Sequence, residues 1–207
     1  TVERVCYRDL VIDEFSAKAD AQSDAALLAT KATRHLARVL PNDPELQRLR
    51  ERLAAANRFA PHLALPDGSD EWLVTLMPAL CRGKRSFADL KESNWNPIIQ
   101  NELGKNALYL LEKHFPERLL VPSGSHVRLS YPSEGPPILA VRIQEVLGWT
   151  ETPTLLEGRL TVRMHLLAPN GRPQQITEDL GGFWTSAYPE IRKELRARYP
   201  RHAWPED

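Results

Sequence analysis

LTVRMHLLAPNGRPQQIT, Leu160 to Thr177, is the stretch that decides the fold class of this chain. Its first half alternates: Leu160, Val162, Met164 and Leu166 face one way, and Thr161, Arg163 and His165 the other, which is the period of a half-buried strand. Asn170-Gly171 follows, the strongest short hairpin signal in the sequence, since both residues tolerate the positive φ of a tight primed turn. PQQIT then returns as the second arm.

Outward from this hairpin the same texture continues. LLVPSGSHVRLSY, starting at Leu119, reads as strand, turn, strand, with Pro122-Ser123-Gly124 as the break. ILAVRIQEVLG, starting at Ile138, runs from strand into a short helix, and helices close the C-terminus. Residues 117–207 therefore read as a small mixed α+β domain with antiparallel hairpins and a C-terminal helix.

Before Pro116 the periodicity is helical. DAQSDAALLATKATRHLARVL puts Leu28, Ala32, Leu36 and Val39 on one stripe. Asp43 and Pro44 form a helix start ahead of Leu46, Leu49 and Leu53. Ser69 or Asp70 caps a helix with Leu73, Leu76, Met77 and Leu80 inside, and Ser86 starts a short one. Asn96-Pro97 begins another, and KNALYLLEKHF adds Leu108, Leu111 and Phe115. Short connections predict an antiparallel helical bundle over 17–116.

VERVCYRDLVIDEF, at the front, reads as a strand with no partner in the next hundred residues. A lone strand leaves its backbone donors and acceptors unsatisfied. Its sheet is therefore expected upstream, with residues 1–16 ending a preceding domain and the chain forming the C-terminal part of a longer protein. The first residue, Thr1, agrees with this.

Charge excludes a global affinity for polyanions: 27 basic residues balance 27 acidic ones, so any nucleic-acid contact must be local. The two cysteines, Cys6 and Cys81, show no zinc spacing and suit a reducing cytoplasm. No apolar run approaches a membrane span, and the six histidines never take a metal-binding spacing.

Catalytic patterns fail one by one. Gly83-Lys84-Arg85-Ser86 lacks the first glycine of a phosphate loop and reads as a surface turn. Ser123-Gly124-Ser125-His126 joins two strands, whereas a nucleophile elbow joins a strand to a helix. Asp70-Glu71 and Glu178-Asp179 stand where helices start and favour the dipole. No catalytic residue, metal ligand or cofactor site is assigned.

The basic C-terminal helix is different. From Tyr188 to Tyr199, Tyr188, Ile191, Leu195 and Tyr199 make one apolar stripe, with Arg192 and Arg196 beside it. Glu190 can reach Lys193, and Glu194 can reach Arg198. Arg128, Arg142, Arg163, Arg192, Arg196 and Arg201 are the candidate nucleic-acid contacts, provided they share a face. Tyr199 and Trp204 are candidates for docking the tail. The competing reading is a solvated helix whose arginine stems cover the edge of the core.

LLVPSGSHVRLSY, PPILAVRIQEVLGWTETP, HLLAPNGRPQQITEDLGGFW and YPEIRKELRARYPRHAWPED, in this order, resemble the C-terminal region of the HrpB family of DExH-box ATP-dependent helicases. The opening strand resembles the end of that family's oligonucleotide-binding-like domain. The resemblance implies a cytoplasmic parent enzyme that remodels RNA by hydrolysing ATP, with ATP and magnesium held in motor domains upstream. None of that family's catalytic motifs is present here: Asp70-Glu71-Trp72-Leu73 lacks the histidine of a D-E-x-H box. What is implied for this chain is an accessory region that docks on the upstream helicase domains, with single-stranded RNA as candidate ligand. The alternative is a docking module that binds protein alone.

Overall fold

The computed structural model describes residues 2–7, 10–16 and 21–206, with side chains from Asp24 onward. It is an α+β fold of two compact units, residues 1–44 with 69–102, and residues 45–68 with 103–207.

The first unit opens with β1 (Val2–Tyr7) and β2 (Leu10–Ser16), paired antiparallel with each other. The front strand is thus not an orphan. Only Arg8-Asp9 separates its halves, and that pair carries no Gly or Asn turn signal, so the sequence reads as one strand where there are two. The hairpin satisfies its own inner backbone groups. The side chains of Cys6 and of Asp13-Glu14 lie outside the described residues.

Helices α1 (Ala21–Arg34) and α2 (Leu36–Val39) divide the predicted first helix at His35. Leu28, Ala32 and Val39 are buried as expected, while Leu36 is only partly so. α1 packs on α5 (Met77–Leu80), and α2 on α6 (Phe87–Glu92). Helix α4 (Asp70–Thr75) starts at Ser69, whose hydroxyl accepts from the Trp72 amide at 3.1 Å; Ser86 does the same for Asp89 at α6. Leu73, Leu76, Met77, Leu80, Leu90, Trp95 and Ile99 fill this core. The Trp95 indole donates to the Leu90 carbonyl at 2.9 Å, so its one polar atom is satisfied. Burial pushes the Cys81 thiol up to about 11.

Helix α7 (Asn96–His114) is two helical segments that meet at Gly104, whose φ of 76° and ψ of 163° form a conformation open in practice to glycine alone.

In the second unit, α3 (Pro44–Phe59, within the unit from Glu45) buries Leu46, Leu49 and Leu53. Arg52 of α3 donates through Nε to the Phe115 carbonyl at 2.8 Å and pairs with Glu112 at 2.6 Å, closing the C-terminal end of α7. Arg58 holds the loop after the second sheet strand through the carbonyls of Pro132, Ser133 and Gly135.

Five strands form the sheet: β3 (Arg118–Leu120), β4 (His126–Ser130), β5 (Ile138–Arg142), β8 (Arg163–Leu167) and β9 (Pro173–Thr177), in the order β3-β4-β5-β8-β9. A separate two-residue ladder joins β6 (Thr154–Leu155) to β7 (Leu160–Thr161). The hairpins β3-β4 and β8-β9 are as the sequence predicts, but the central pair, β5 with β8, is parallel. Leu129, Leu139, Val141, Met164 and Leu166 point from the sheet into the core, all at most 3% exposed. Tyr131 is buried there too, its hydroxyl donating to the Pro116 carbonyl at 2.6 Å, and burial holds its pKa far above the usual phenol value.

After β9 come α8 (Leu180–Gly182), a π-helical turn over Phe183–Ala187, and α9 (Tyr188–Arg198). Asp179 caps α8 by accepting from the Gly182 amide at 2.8 Å. The predicted ion pairs of α9 are present: Lys193 to Glu190 at 2.7 Å and Arg198 to Glu194 at 3.1 Å.

Candidate nucleic-acid interface

Because side chains alternate along a strand, the five-stranded sheet has a second face opposite its core face. Register fixes what stands on it. Arg118 is directly across from Arg128, Leu120 from His126, Ser130 from Ile138, and His165 from Ile176. In the parallel pair Ile138 is beside Arg163, Ala140 beside His165, and Arg142 beside Leu167. Ala140 lies on a central strand and is nevertheless exposed, as are Arg118, His126, Arg128 and Arg142. A small residue in the middle of a sheet stays exposed only where no layer covers it.

Three of the sequence candidates, Arg128, Arg142 and Arg163, therefore share one open face. Arg128 reaches Glu117 at 3.3 Å, and Arg163 grips Glu178 through Nε at 2.8 Å and Nη2 at 2.7 Å. These pairs are half exposed, and such pairs contribute only about 0–1 kcal/mol, so an incoming phosphate can displace either carboxylate. Arg118 donates weakly to the His126 carbonyl at 3.3 Å, and the Arg142 amide donates to the Glu145 carboxylate at 3.3 Å. Sequence reading misses Arg118, His126 and His165 as members. The alternation of LTVRMHLLA already turns His165 outward with Arg163, but Arg118 precedes Leu119, where the sequence pattern starts the strand. Leu120 and Ile176 add exposed apolar surface, 60% and 55% accessible, and the rings among these residues are the imidazoles of His126 and His165.

The other candidates belong to α9 and the tail. Arg192 is turned inward on the tail: Nε donates to the Trp204 carbonyl and Nη2 to Glu206, each at 2.8 Å, and its side chain is only 16% exposed. Arg196 and Arg201 are exposed. Trp204 is 8% exposed, and its indole donates to the Tyr199 carbonyl at 2.9 Å. Tyr199 is half-buried, its ring edge-on to His202. Among the described residues, no hydrogen bond or ion pair ties these groups to the arginines of the sheet.

The motifs discounted for catalysis in the sequence make local hydrogen bonds. Ser123 and Ser125 bond each other in the β3-β4 turn, and Asp89 ties the Arg85 amide to the start of α6. Among the described residues no cluster of His, Cys, Asp and Glu can hold a metal ion, and no helix is long and apolar enough to cross a membrane.

The profile of the HrpB C-terminal family, "ATP-dependent helicase C-terminal", matches residues 72–207. The chain belongs to the HrpB helicase family. It is 37% identical over 168 residues to the ATP-dependent RNA helicase HrpB of Escherichia coli K12, covering 79% of this chain and 21% of that protein. The crystal structure of the E. coli DExH-box NTPase HrpB superposes with a TM-score of 0.85 at 31% identity, over 100% of this chain and 26% of that one. A second crystal structure, described as the E. coli DEAH/RHA helicase HrpB, gives 0.76 at 31% identity over 98% and 26%. The chain thus spans about a quarter of the length of its HrpB relatives and corresponds to their C-terminal helicase region.

Proposed function

We propose that this HrpB C-terminal region is a non-catalytic accessory part of a cytoplasmic ATP-dependent RNA helicase, docking on the motor domains of its own chain and lending the open face of its sheet to the RNA path. ATP and magnesium belong to those motor domains. The observation that carries the RNA contact is the placement of Arg118, Arg128, Arg142 and Arg163 across four neighbouring strands of an uncovered face. Guanidinium groups grip phosphate oxygens bidentately. The rings on the face are the imidazoles of His126 and His165, with no Phe, Tyr or Trp among them, so the contact is chiefly with the backbone and depends little on sequence.

Leu120 and Ile176 favour a second reading, in which the same face binds protein alone, since arginine mixed with exposed aliphatic surface also suits a protein interface. Anisotropy of a labelled single-stranded RNA separates the two. Under the proposal Arg128→Ala/Arg142→Ala/Arg163→Ala loses most of the affinity and Arg196→Ala/Arg201→Ala keeps it. Equal binding by both variants overturns the assignment to the sheet. No binding by the parent chain even at low salt leaves the protein-only reading.

A further inference from the structure

Register gathers basic groups of the open sheet face around one small residue. Leu129 pairs with Leu139 and Ser130 with Ile138. Beyond the strand ends, the Ser123 amide donates to the Glu145 carbonyl at 3.2 Å, a bond that falls on the same antiparallel register. Between those points His126 therefore stands opposite Arg142, and Arg128 opposite Ala140. On the other side of β5, Ala140 is beside His165. Neighbouring strands are about 4.8 Å apart and residues two apart on a strand about 6.6 Å, so all four basic residues start within about 8 Å of Ala140. The exposed methyl of Ala140 leaves room at the centre of this ring that a larger side chain would fill.

Three members of the ring are uncommitted. Among the described residues the imidazoles of His126 and His165 and the guanidinium of Arg142 make no hydrogen bond or ion pair. Only the Arg142 amide is engaged, by the Glu145 carboxylate at 3.3 Å. Arg128 is partly neutralised by Glu117, which Arg48 shares at 3.8 Å. The other charged groups flanking the imidazoles are Arg118, which donates to the His126 carbonyl, and Arg163 with its partner Glu178, next to His165. A phosphodiester inside an RNA strand carries one charge, offers two free oxygens and has chain leaving on both sides. A phosphate at a strand end carries up to about two charges and three strong acceptor oxygens. Donors converging on one point from three strands, two of them able to gain charge near neutral pH, match the second.

We propose that His126, Arg142 and His165, around Ala140, form a site for the phosphomonoester at the end of an RNA strand. The site rests on the reading of the sheet face as an RNA contact and adds which part of the strand is held there. Short fluorescein-labelled oligouridylates test it by anisotropy. One pair is labelled at the 3′ end and carries a phosphate or a hydroxyl at the 5′ end; the other pair is the reverse, so the pair that discriminates identifies the end. At about pH 6.5 the phosphorylated end should bind about tenfold tighter than the hydroxyl end. At about pH 8.5 the ratio should fall to about threefold or less, because the imidazoles lose their charge while Arg142 keeps its own. His126→Gln/His165→Gln should hold the ratio at about threefold or less at both pH values. Should that variant fold poorly, Ala140→Leu, which fills the centre without changing a charge, should lower the ratio as well. Equal affinity within both pairs, or a preference that survives both variants, overturns this site and leaves the RNA contact of the face standing. Binding of none of these RNAs overturns both. Uridine 5′-monophosphate competing as strongly as the phosphorylated strand overturns the assignment to a strand end and makes this a free-nucleotide site.

Discussion

Arg192 has little freedom left to meet a ligand. Two of its donors hold the Trp204 carbonyl and Glu206, and its stem is largely covered. Replacing it strands the tail rather than an RNA. Arg192→Ala should cost about 1–3 kcal/mol, the range for a charge-assisted hydrogen bond removed from a partly buried site. Urea denaturation should read that loss, and a red shift in Trp204 emission should accompany it, because its carbonyl anchor is gone. RNA affinity should stay within about twofold, since this side chain takes no part in the sheet face. A second residue-scale test concerns Glu157. The Lys113 ammonium, first by its 3.1 Å hydrogen bond and then by its charge, holds this carboxyl below the ordinary glutamate value. The folded pKa is lowered, so the stabilisation is present above the ordinary carboxylate range and is lost as pH falls through the lowered value. Lys113→Met should move the Glu157 carboxyl resonance to a higher midpoint in an NMR titration. An unchanged midpoint would mean that the pair does not persist in solution.

At the scale of elements, backbone approach decides what can be substituted. Gly68 closes the turn after α3 at φ +71°, and a Cβ there would lie 2.6 Å from the Arg50 carbonyl oxygen. Backbone cannot swing aside as a side chain can. Gly104 in α7 has a similar φ, +76°, but nothing within 4 Å of its Cβ position. Gly68→Ala should therefore destabilise by more than Gly104→Ala, in which only the backbone conformation is strained, at about 1–3 kcal/mol. Paired thermal melts test this ordering. The same contrast of local with non-local causes explains what is legible in the sequence. Caps at Ser69 and Ser86, the hairpin at Asn170-Gly171 and the inward set Leu160, Val162, Met164 and Leu166 have local causes and can be read directly. The parallel pairing of β5 with β8 joins segments separated by a helix turn and the short β6-β7 ladder, and no residue near either strand encodes it. The front hairpin is hidden because Arg8-Asp9 carries neither the Gly nor the Asn that marks a two-residue hairpin turn. The candidate site shows the same division. Alternation shows that Arg163 and His165 point outward, but only the strand order puts them on one face with Ala140 and Arg142 of the neighbouring strand and Arg128 of the next.

For the whole molecule, net charge is zero, so its affinity for a polyanion has to come from how the arginines are arranged. On the sheet face four arginines meet two glutamates, Glu117 and Glu178, each already paired with one of them. That arrangement predicts a shallow salt dependence. Each phosphate neutralised on a single strand adds a slope of about −0.7 in log K against log salt, so two to four neutralised phosphates give about −1.4 to −2.8. A long basic groove would give a far steeper line. Individual substitutions should then differ in kind. Arg142→Ala should flatten the slope by about 0.7, the share of a single phosphate, and weaken binding without other effect. Arg163→Ala should weaken binding more at the same slope change, because it removes a cation and also leaves the Glu178 carboxylate unpaired beside the phosphate path. Restoring neutrality in Arg163→Ala/Glu178→Gln should recover part of that difference. If Arg163→Ala and Arg142→Ala prove equal, and the double variant recovers nothing, the Arg163–Glu178 pair stays closed in the complex. Arg118 and Arg142 would then be the arginines that meet RNA.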